Sequence, residues 1–181
     1  GHVSPSAFQA VSVPGNGVVP LDIGAHVRRR AHVAGVVRAR TGRVIVEALQ
    51  VQNGDGRRGV GLILGAPRTA PGFVFPDGFV GTDKFEQLFV FNPNPVEAAV
   101  QLDLVLDAGA AEPFEAKVPP YSTFQIDLAN ESRIPKNTGH ALLVQVSNDV
   151  GVAVARTIDV GPPNSRRGYI TALGAPSAAL H

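Results

Sequence analysis

The chain of 181 residues has no cysteine, no methionine and no tryptophan. The absence of cysteine excludes a disulfide framework, a zinc–thiolate centre and a thiol nucleophile. Because there is no methionine, we expect a processed or truncated piece of a longer product, in which Gly1-His2 is a tag remnant. No apolar run approaches the roughly 18 residues of a membrane-spanning helix, so we expect no membrane span in this segment.

Long helices have little room in this chain, because 20 glycines and 15 prolines interrupt it. Val100–Asp107 places valine and leucine at even positions and mostly polar residues at odd positions. This period of two is typical of a half-buried strand. Phe85–Asn92 predicts a strand covered on both faces. Turn sequences such as Asn92-Pro93-Asn94-Pro95 separate the strands, so the chain is predicted to be all-β and antiparallel, as in a sandwich.

Comparison of the chain with itself predicts an internal repeat. Three motifs recur in the same order, 105 to 109 residues later: Val13-Pro14 with Leu21-Asp22-Ile23 as Val118-Pro119 with Ile126-Asp127-Leu128, Arg57-Arg58-Gly59 as Arg166-Arg167-Gly168, and Leu64-Gly65-Ala66-Pro67 as Leu173-Gly174-Ala175-Pro176. We therefore predict two related antiparallel β-sandwich units of the immunoglobulin-like type.

The two predicted units differ in length. Residues 73–181 form the complete second unit, whereas residues 1–72 form a first unit that is incomplete at its N-terminus, because nothing in it corresponds to 73–116. A sandwich that lacks strands exposes an apolar face and an unpaired edge. Either an upstream segment completes the first unit, or the two units pack together and share a core.

One set of motifs resembles a domain family of unknown function found in secreted or envelope-anchored actinobacterial proteins with repeated β-sandwich units. The motifs are Phe75-Pro76-Asp77-Gly78, Leu88-Phe89-Val90-Phe91-Asn92-Pro93, Val118-Pro119-Pro120, Ile126-Asp127-Leu128 and Val152-Ala153-Val154-Ala155-Arg156. The resemblance covers Phe73–Pro176, and its second half recurs in Val13–Pro67. It implies a location outside the cytoplasm and no established activity.

Charge is divided unevenly along the chain. Residues 1–72 carry a net charge of +6 and residues 73–181 a net charge of −5. The guanidinium group of an arginine can bind phosphate or carboxylate through two parallel hydrogen bonds. Alternatively, the arginines of this chain lie in solvated turns or pair with acids of the neighbouring unit, and then they have no binding role. The candidates for anion or partner binding are Arg28, Arg29, Arg30, Arg57, Arg58, Arg166 and Arg167. Nucleic acid is not expected, because no aromatic residue for base stacking lies between Phe8 and Phe73.

Two further features have competing interpretations. Gly54–Gly59 matches the dinucleotide-binding pattern G-x-G-x-x-G, but the glycine-rich segment after it is too short for the required helix. We interpret it as a hairpin loop and expect no cofactor. Glu47 and Arg156 are both in phase with the apolar faces of their strands. They predict an ion pair between the units, unless each lies near a strand end and reaches water.

Motifs for catalysis and metal binding are absent from the sequence. The five histidines do not have the spacing of a metal site, and there is no G-x-S-x-G element. We therefore expect no enzyme and no metal. The first hypothesis is a non-catalytic structural or protein-interaction module of an extracytoplasmic cell-envelope protein, whose partner is another envelope protein or a second copy. The alternative is a binding module for an anionic cell-wall glycan, which would bind through the basic first unit.

Overall fold

The structure is a computed structural model that describes residues 3–28, 30, 32–54, 56–163 and 166–177. It is nearly all-β, with 49% strand and 6% helix. The chain divides into two compact units, Gly1–Gly35 and Val36–His181.

The described residues form twelve strands, one α-helical turn and two 3-10 turns. The strands are β1 Glu47–Gly54, β2 Arg57–Leu64, β3 Gly72–Val80, β4 Lys84–Asn92, β5 Ala98–Leu106, β6 Gly109–Ala110, β7 Phe114–Val118, β8 Ser122–Asp127, β9 Thr138–Val146, β10 Ala153–Val160, β11 Gly168–Leu173 and β12 Ala175–Ser177. The helical turns are α1 Ile23–His26 and the 3-10 turns Ser6–Phe8 and Leu128–Asn130.

The strands form three sheets, and every strand pair is antiparallel. One sheet has the order β11-β10-β4-β8, and the second has the order β12-β3-β9-β5-β6, with β7 also paired to β5. Their buried side chains form one hydrophobic core, as in a β-sandwich. β1 and β2 form a separate two-stranded hairpin. The predicted all-β, antiparallel sandwich class is confirmed.

The alternation predicted in β5 matches the burial. Val100, Leu102 and Leu104 are each buried in the core, whereas Gln101 and Asp103 are only half-buried. In β4, every even position from Glu86 to Asn92 is buried and every odd position from Phe85 to Phe91 is half-buried. The prediction that this strand is covered on both faces is therefore confirmed, because no residue from Phe85 to Asn92 is exposed. Two of the buried even positions, Glu86 and Asn92, are polar.

The amide of Asn92 fixes the turn between β4 and β5. Its Nδ2 donates to the carbonyl oxygens of Val96 at 2.7 Å and Val118 at 3.0 Å. Its Oδ1 accepts a hydrogen bond from the backbone N–H of Asn94 at 3.0 Å. A fully buried amide must find such partners, and here they join two separate loops of the sandwich.

The unit Gly1–Gly35 has no fully buried residue among those described. Asp22 caps α1 by accepting from the backbone N–H of Ala25 at 3.1 Å. The ring of Phe8 meets the edge of His26, with centroids 5.2 Å apart. None of the helical segments in the described ranges has the length and apolar character needed to cross a membrane.

Candidate functional site

The β1–β2 hairpin has two chemically different faces, because successive side chains of a strand point to opposite sides. The register pairs Glu47 with Leu64 and Gly54 with Arg57, so the predicted hairpin is confirmed, but its loop is shorter than Gly54–Gly59 because Arg57–Gly59 belong to β2. We call one side the inner face; it carries Ala48, Gln50, Gln52, Gly54, Arg57, Gly59, Gly61 and Ile63. The other side, the outer face, carries Glu47, Leu49, Val51, Asn53, Arg58, Val60, Leu62 and Leu64.

The inner face lies directly on strand β11. A Cβ atom on Gly59 would lie 2.3 Å from Cβ of Tyr169, and a Cβ on Gly61 would lie 2.8 Å from Cε1 of the same ring. Only glycine permits such an approach of two backbones. The Tyr169 hydroxyl donates to Oε1 of Gln50 at 2.7 Å. Gly59, Gly61 and the hydrogen bond to Gln50 therefore hold the hairpin close against β11.

Arg57 joins the inner face to strand β10. Its Nη1 lies 3.8 Å from Oδ2 of Asp159, and its guanidinium lies 4.5 Å from the ring centre of Phe85. Burial raises the pKa of the Asp159 carboxyl, and the positive charge of Arg57 opposes that rise. Burial, with the nearby charge of Asp159, also raises the pKa of Tyr169.

We expect Arg57→Ala to raise the pKa of Asp159 further, because the substitution removes the charge that opposes desolvation. When folding raises the pKa of an aspartate, the free energy of unfolding of the protein falls as pH rises through that raised pKa. The decrease in the free energy of unfolding with rising pH should therefore be larger in Arg57→Ala than in the wild type. NMR titration of the Asp159 carboxyl carbon measures the shift. Arg58→Ala is the matched control, because Arg58 lies on the outer face; equal pKa values in the two variants would contradict the assignment.

The outer face is apolar and open to solvent. Its five aliphatic residues are exposed by 67% at Leu49, 68% at Val51, 61% at Val60, 59% at Leu62 and 57% at Leu64. Scattered exposed aliphatics are ordinary, but a contiguous group on one sheet face marks an interaction surface. The hairpin thus leaves these leucines and valines open to solvent, whereas Gly59, Gly61 and Ile63 of the inner face are buried or half-buried.

A second polar group lies inside the sandwich. Glu86 and His140 have fully buried side chains, and Nε2 of His140 lies 3.3 Å from Oε2 of Glu86. Nη1 of Arg156 lies 3.2 Å from Oε1 of Glu86 and also donates to the carbonyl of Asp77. The register of β3 against β9 shifts before Gly78, where a Cβ would lie 2.5 Å from Nε2 of His140. Arg156 forms an ion pair with Glu86, and His140 lies against the same carboxylate; we call these three side chains the buried charge cluster.

The buried charge cluster corrects one prediction. The predicted ion pair between Glu47 and Arg156 is wrong, because Arg156 binds Glu86 within the sandwich. Glu47 instead lies exposed on the outer face of the hairpin, opposite Leu64. Sequence reasoning missed Glu86 and His140. They are 54 residues apart in the chain, and an isolated polar residue in a strand gives no sign of its partner.

The other predicted arginines lie in different places. Arg28, Arg30 and His26 line a cavity of about 400 Å³ in the compact unit Gly1–Gly35. Arg29 lies outside the described residues. Arg166 and Arg167 are exposed in the loop before β11, where Nη1 of Arg167 donates to the carbonyl of Arg166 at 2.9 Å.

A second cavity, of about 310 Å³, lies beside β7 and β8. At its rim the guanidinium of Arg133 lies 3.6 Å from the ring centre of Phe114 and pairs with Glu131 at 3.1 Å. The hydrogen bond from Arg133 lowers the pKa of Glu131. In the described ranges, no three histidine, aspartate or glutamate side chains are grouped so that they could hold a metal ion.

Comparison with known proteins gives only distant structural neighbours. No family model matches the chain, and no curated protein matches it. The crystal structure of Thermotoga maritima 1070 superposes with a TM-score of 0.55 at 18% identity and covers 62% of this chain and 98% of that one. This likeness supports the fold alone. The Anabaena sensory rhodopsin transducer, at 18% identity, covers 49% of this chain and 87% of its own, with a TM-score of 0.43.

Proposed function

We propose that this chain is a non-catalytic structural or protein-interaction module, and that the outer face of the hairpin is its interaction surface. The observation that carries the proposal is the outer face itself, on which five large aliphatic side chains are each more than half exposed. Complete burial of one such side chain is worth about 1.5–3 kcal/mol. Covering the face with a partner therefore stabilises the complex strongly, whereas leaving it open promotes aggregation.

The non-catalytic part of the proposal rests on how the buried ionisable groups are used. Nε2 of His140 and Nη1 of Arg156 lie 3.3 Å and 3.2 Å from the Glu86 carboxylate. Oδ2 of Asp159 lies 3.8 Å from Nη1 of Arg57, which links the hairpin to the sheet. These groups therefore hold the fold together rather than face a substrate. The extracytoplasmic, cell-envelope location rests on the motif resemblance in Phe73–Pro176.

An internal duplication and an immunoglobulin-like sandwich type complete the proposal. In the duplication, β1–β2 corresponds to β10–β11, and each hairpin is followed by Leu-Gly-Ala-Pro. Asp22 and Asp127, which the repeat aligns, both cap a short helical turn by accepting from a backbone N–H, at 3.1 Å and 3.2 Å. These shared features support descent of the two segments from one unit. The two packed antiparallel sheets support the sandwich type.

Site-specific photo-crosslinking tests the interaction surface. A photoreactive phenylalanine analogue is placed at Leu62, in the middle of the outer face, in the full-length protein within its native host. We expect a discrete crosslinked product whose mass identifies the partner. The matched control carries the analogue at Lys117, a solvent-exposed position on β7. If Leu62 gives no product beyond that of Lys117, the proposal is overturned.

Binding of an anionic glycan is the second candidate function, because Arg28, Arg30 and His26 line one cavity. Contacts of this kind weaken steeply as salt screens them. We expect retention of the protein on immobilised polygalacturonate at low ionic strength and its loss in the variant Arg28→Ala/Arg30→Ala. Arg166→Ala/Arg167→Ala is the control with the same change of charge. Equal retention of both variants would exclude this cavity as the binding site.

A further inference from the structure

We propose that the partner that covers the outer face is a second copy of this chain, related by a twofold axis that lies in the plane of the interface and runs perpendicular to the strands. This inference rests on the proposed function of the same surface. In the resulting dimer the two hairpins stack face to face, and Glu47 of each copy contacts Arg58 of the other. A twofold arrangement requires a surface that is complementary to itself, and the outer face has that property.

The first argument is the placement of charge on the outer face. Glu47 stands at the open end of the hairpin and Arg58 at its turn end, opposite Asn53. Six residues of extended chain separate the two ends by about 20 Å, so the two charges of one copy cannot meet. A twofold rotation reverses the hairpin and brings each carboxylate to the partner's guanidinium. Within the described ranges neither residue takes part in an ion pair, and both are exposed.

The second argument is the apolar centre between these charges. Leu49 is paired directly with Leu62, and Val51 directly with Val60. Two such faces pack as the layers of an aligned β-sandwich do, about 10 Å apart. From the exposed fractions, the five aliphatic residues of both copies together bury roughly 1,100 Å², close to the lower limit of about 1,200 Å² for a specific protein interface. We therefore expect a reversible dimer rather than an obligate one.

The third argument is that one hairpin of this chain already covers a face of another hairpin. Under the proposed duplication, Val60 and Leu62 correspond to Tyr169 and Thr171, 109 residues later. Those two residues lie under Gly59 and Gly61 of the β1–β2 hairpin. The equivalent face of the second hairpin is therefore covered by a hairpin of the same type. This favours a further hairpin as the cover for the outer face.

Charge exchange tests the geometry directly. We expect the wild type to dimerise reversibly at about 100 µM in sedimentation velocity, because interfaces at the low end of the size range are weak and transient. Glu47→Arg and Arg58→Glu each place two like-charged contacts in the dimer, so each should weaken self-association about tenfold or more. A mixture of the two single variants should form a heterodimer, because both contacts are then attractive. The double variant E47R/R58E should regain the homodimer.

Matched variants keep the outcome interpretable. Glu47 and Arg58 are exposed, so we expect the thermal unfolding temperature of each monomeric variant to stay unchanged. Arg68→Glu reverses an exposed arginine outside the hairpin and should leave dimerisation unchanged. Leu62→Asp should weaken it at least a hundredfold, because it buries a carboxylate in the apolar centre. A monomeric wild type, or single variants that fail to associate on mixing, overturns the twofold arrangement.

The mass of the Leu62 crosslink separates this inference from the proposed function. A product with twice the mass of the chain supports the dimer. A product with a different protein, together with a monomeric wild type in sedimentation, overturns the dimer but leaves the interaction surface standing. A Leu62 position that gives no product at all overturns both.

Discussion

Arg156→Met is expected to lower the free energy of unfolding by about 3–5 kcal/mol, because it leaves the carboxylate of Glu86 buried without its strongest partner. Glu86 is fully enclosed, and Arg156 is its only arginine contact in the described part of the chain. The methionine fills most of the vacated volume, so the loss reports on charge rather than on a cavity. Equilibrium unfolding in urea measures the change.

Two further variants make this measurement specific. Arg133→Met removes an arginine that pairs with Glu131 near the surface, and it should cost less than about 1 kcal/mol. The double variant Glu86→Leu/Arg156→Met removes both charges, and it should recover much of the stability that Arg156→Met loses. Equal losses for Arg156→Met and Arg133→Met would contradict the role of the buried charge cluster.

Gly59→Ala is expected to detach the β1–β2 hairpin from β11. The added Cβ would lie 2.3 Å from Cβ of Tyr169 and 2.7 Å from its backbone nitrogen, so a rotamer change cannot relieve the clash. Overpacking against a fixed backbone costs about 3 kcal/mol, which corresponds to a loss of roughly a hundredfold in hydrogen-exchange protection of the hairpin amides. Hydrogen exchange followed by mass spectrometry measures the protection in β1 and β2.

Gly54→Ala is the control within the same hairpin. No atom lies within 4 Å of a Cβ placed there, so the protection of β1 and β2 should stay within about twofold of the wild type. The core strands β5 and β9 should keep their protection in both variants, because the contact that is lost lies outside the core. Unchanged protection of the hairpin in Gly59→Ala would show that the glycine is not needed for docking.

The architecture of the sandwich could be predicted largely from alternation. Val100, Leu102 and Leu104 follow the period of two and are buried where that pattern places them. In the predicted first unit, residues 1–72, the repeated motif does not lie in the same kind of element as its counterpart in the second unit. Leu21-Asp22-Ile23, which the repeat aligns with the end of β8, leads into α1, and no strand precedes Glu47 among the described residues. A strand needs a neighbour for its backbone groups, and the motif alone does not supply one.

The candidate site could be predicted only in part. Sequence reasoning selected Arg57 and Arg58 as a pair, but the two side chains lie on opposite faces of β2, and only Arg57 contacts Asp159. The outer face was hidden in the sequence because the alternation of Leu62 and Leu64 with glycine and isoleucine is that of an ordinary strand. Which face is covered depends on Tyr169, more than a hundred residues away.

The turn fixed by Asn92 has a consequence for the chemical ageing of the protein. Asparagine loses its amide nitrogen most readily when the backbone nitrogen of the next residue attacks the side-chain carbonyl, and proline at position 93 has no N–H to support that cyclisation. Deamidation would place a carboxylate against the carbonyl oxygens of Val96 and Val118, where it could only repel them. The Asn92-Pro93 sequence thus protects the joint between the two loops during long storage or long service.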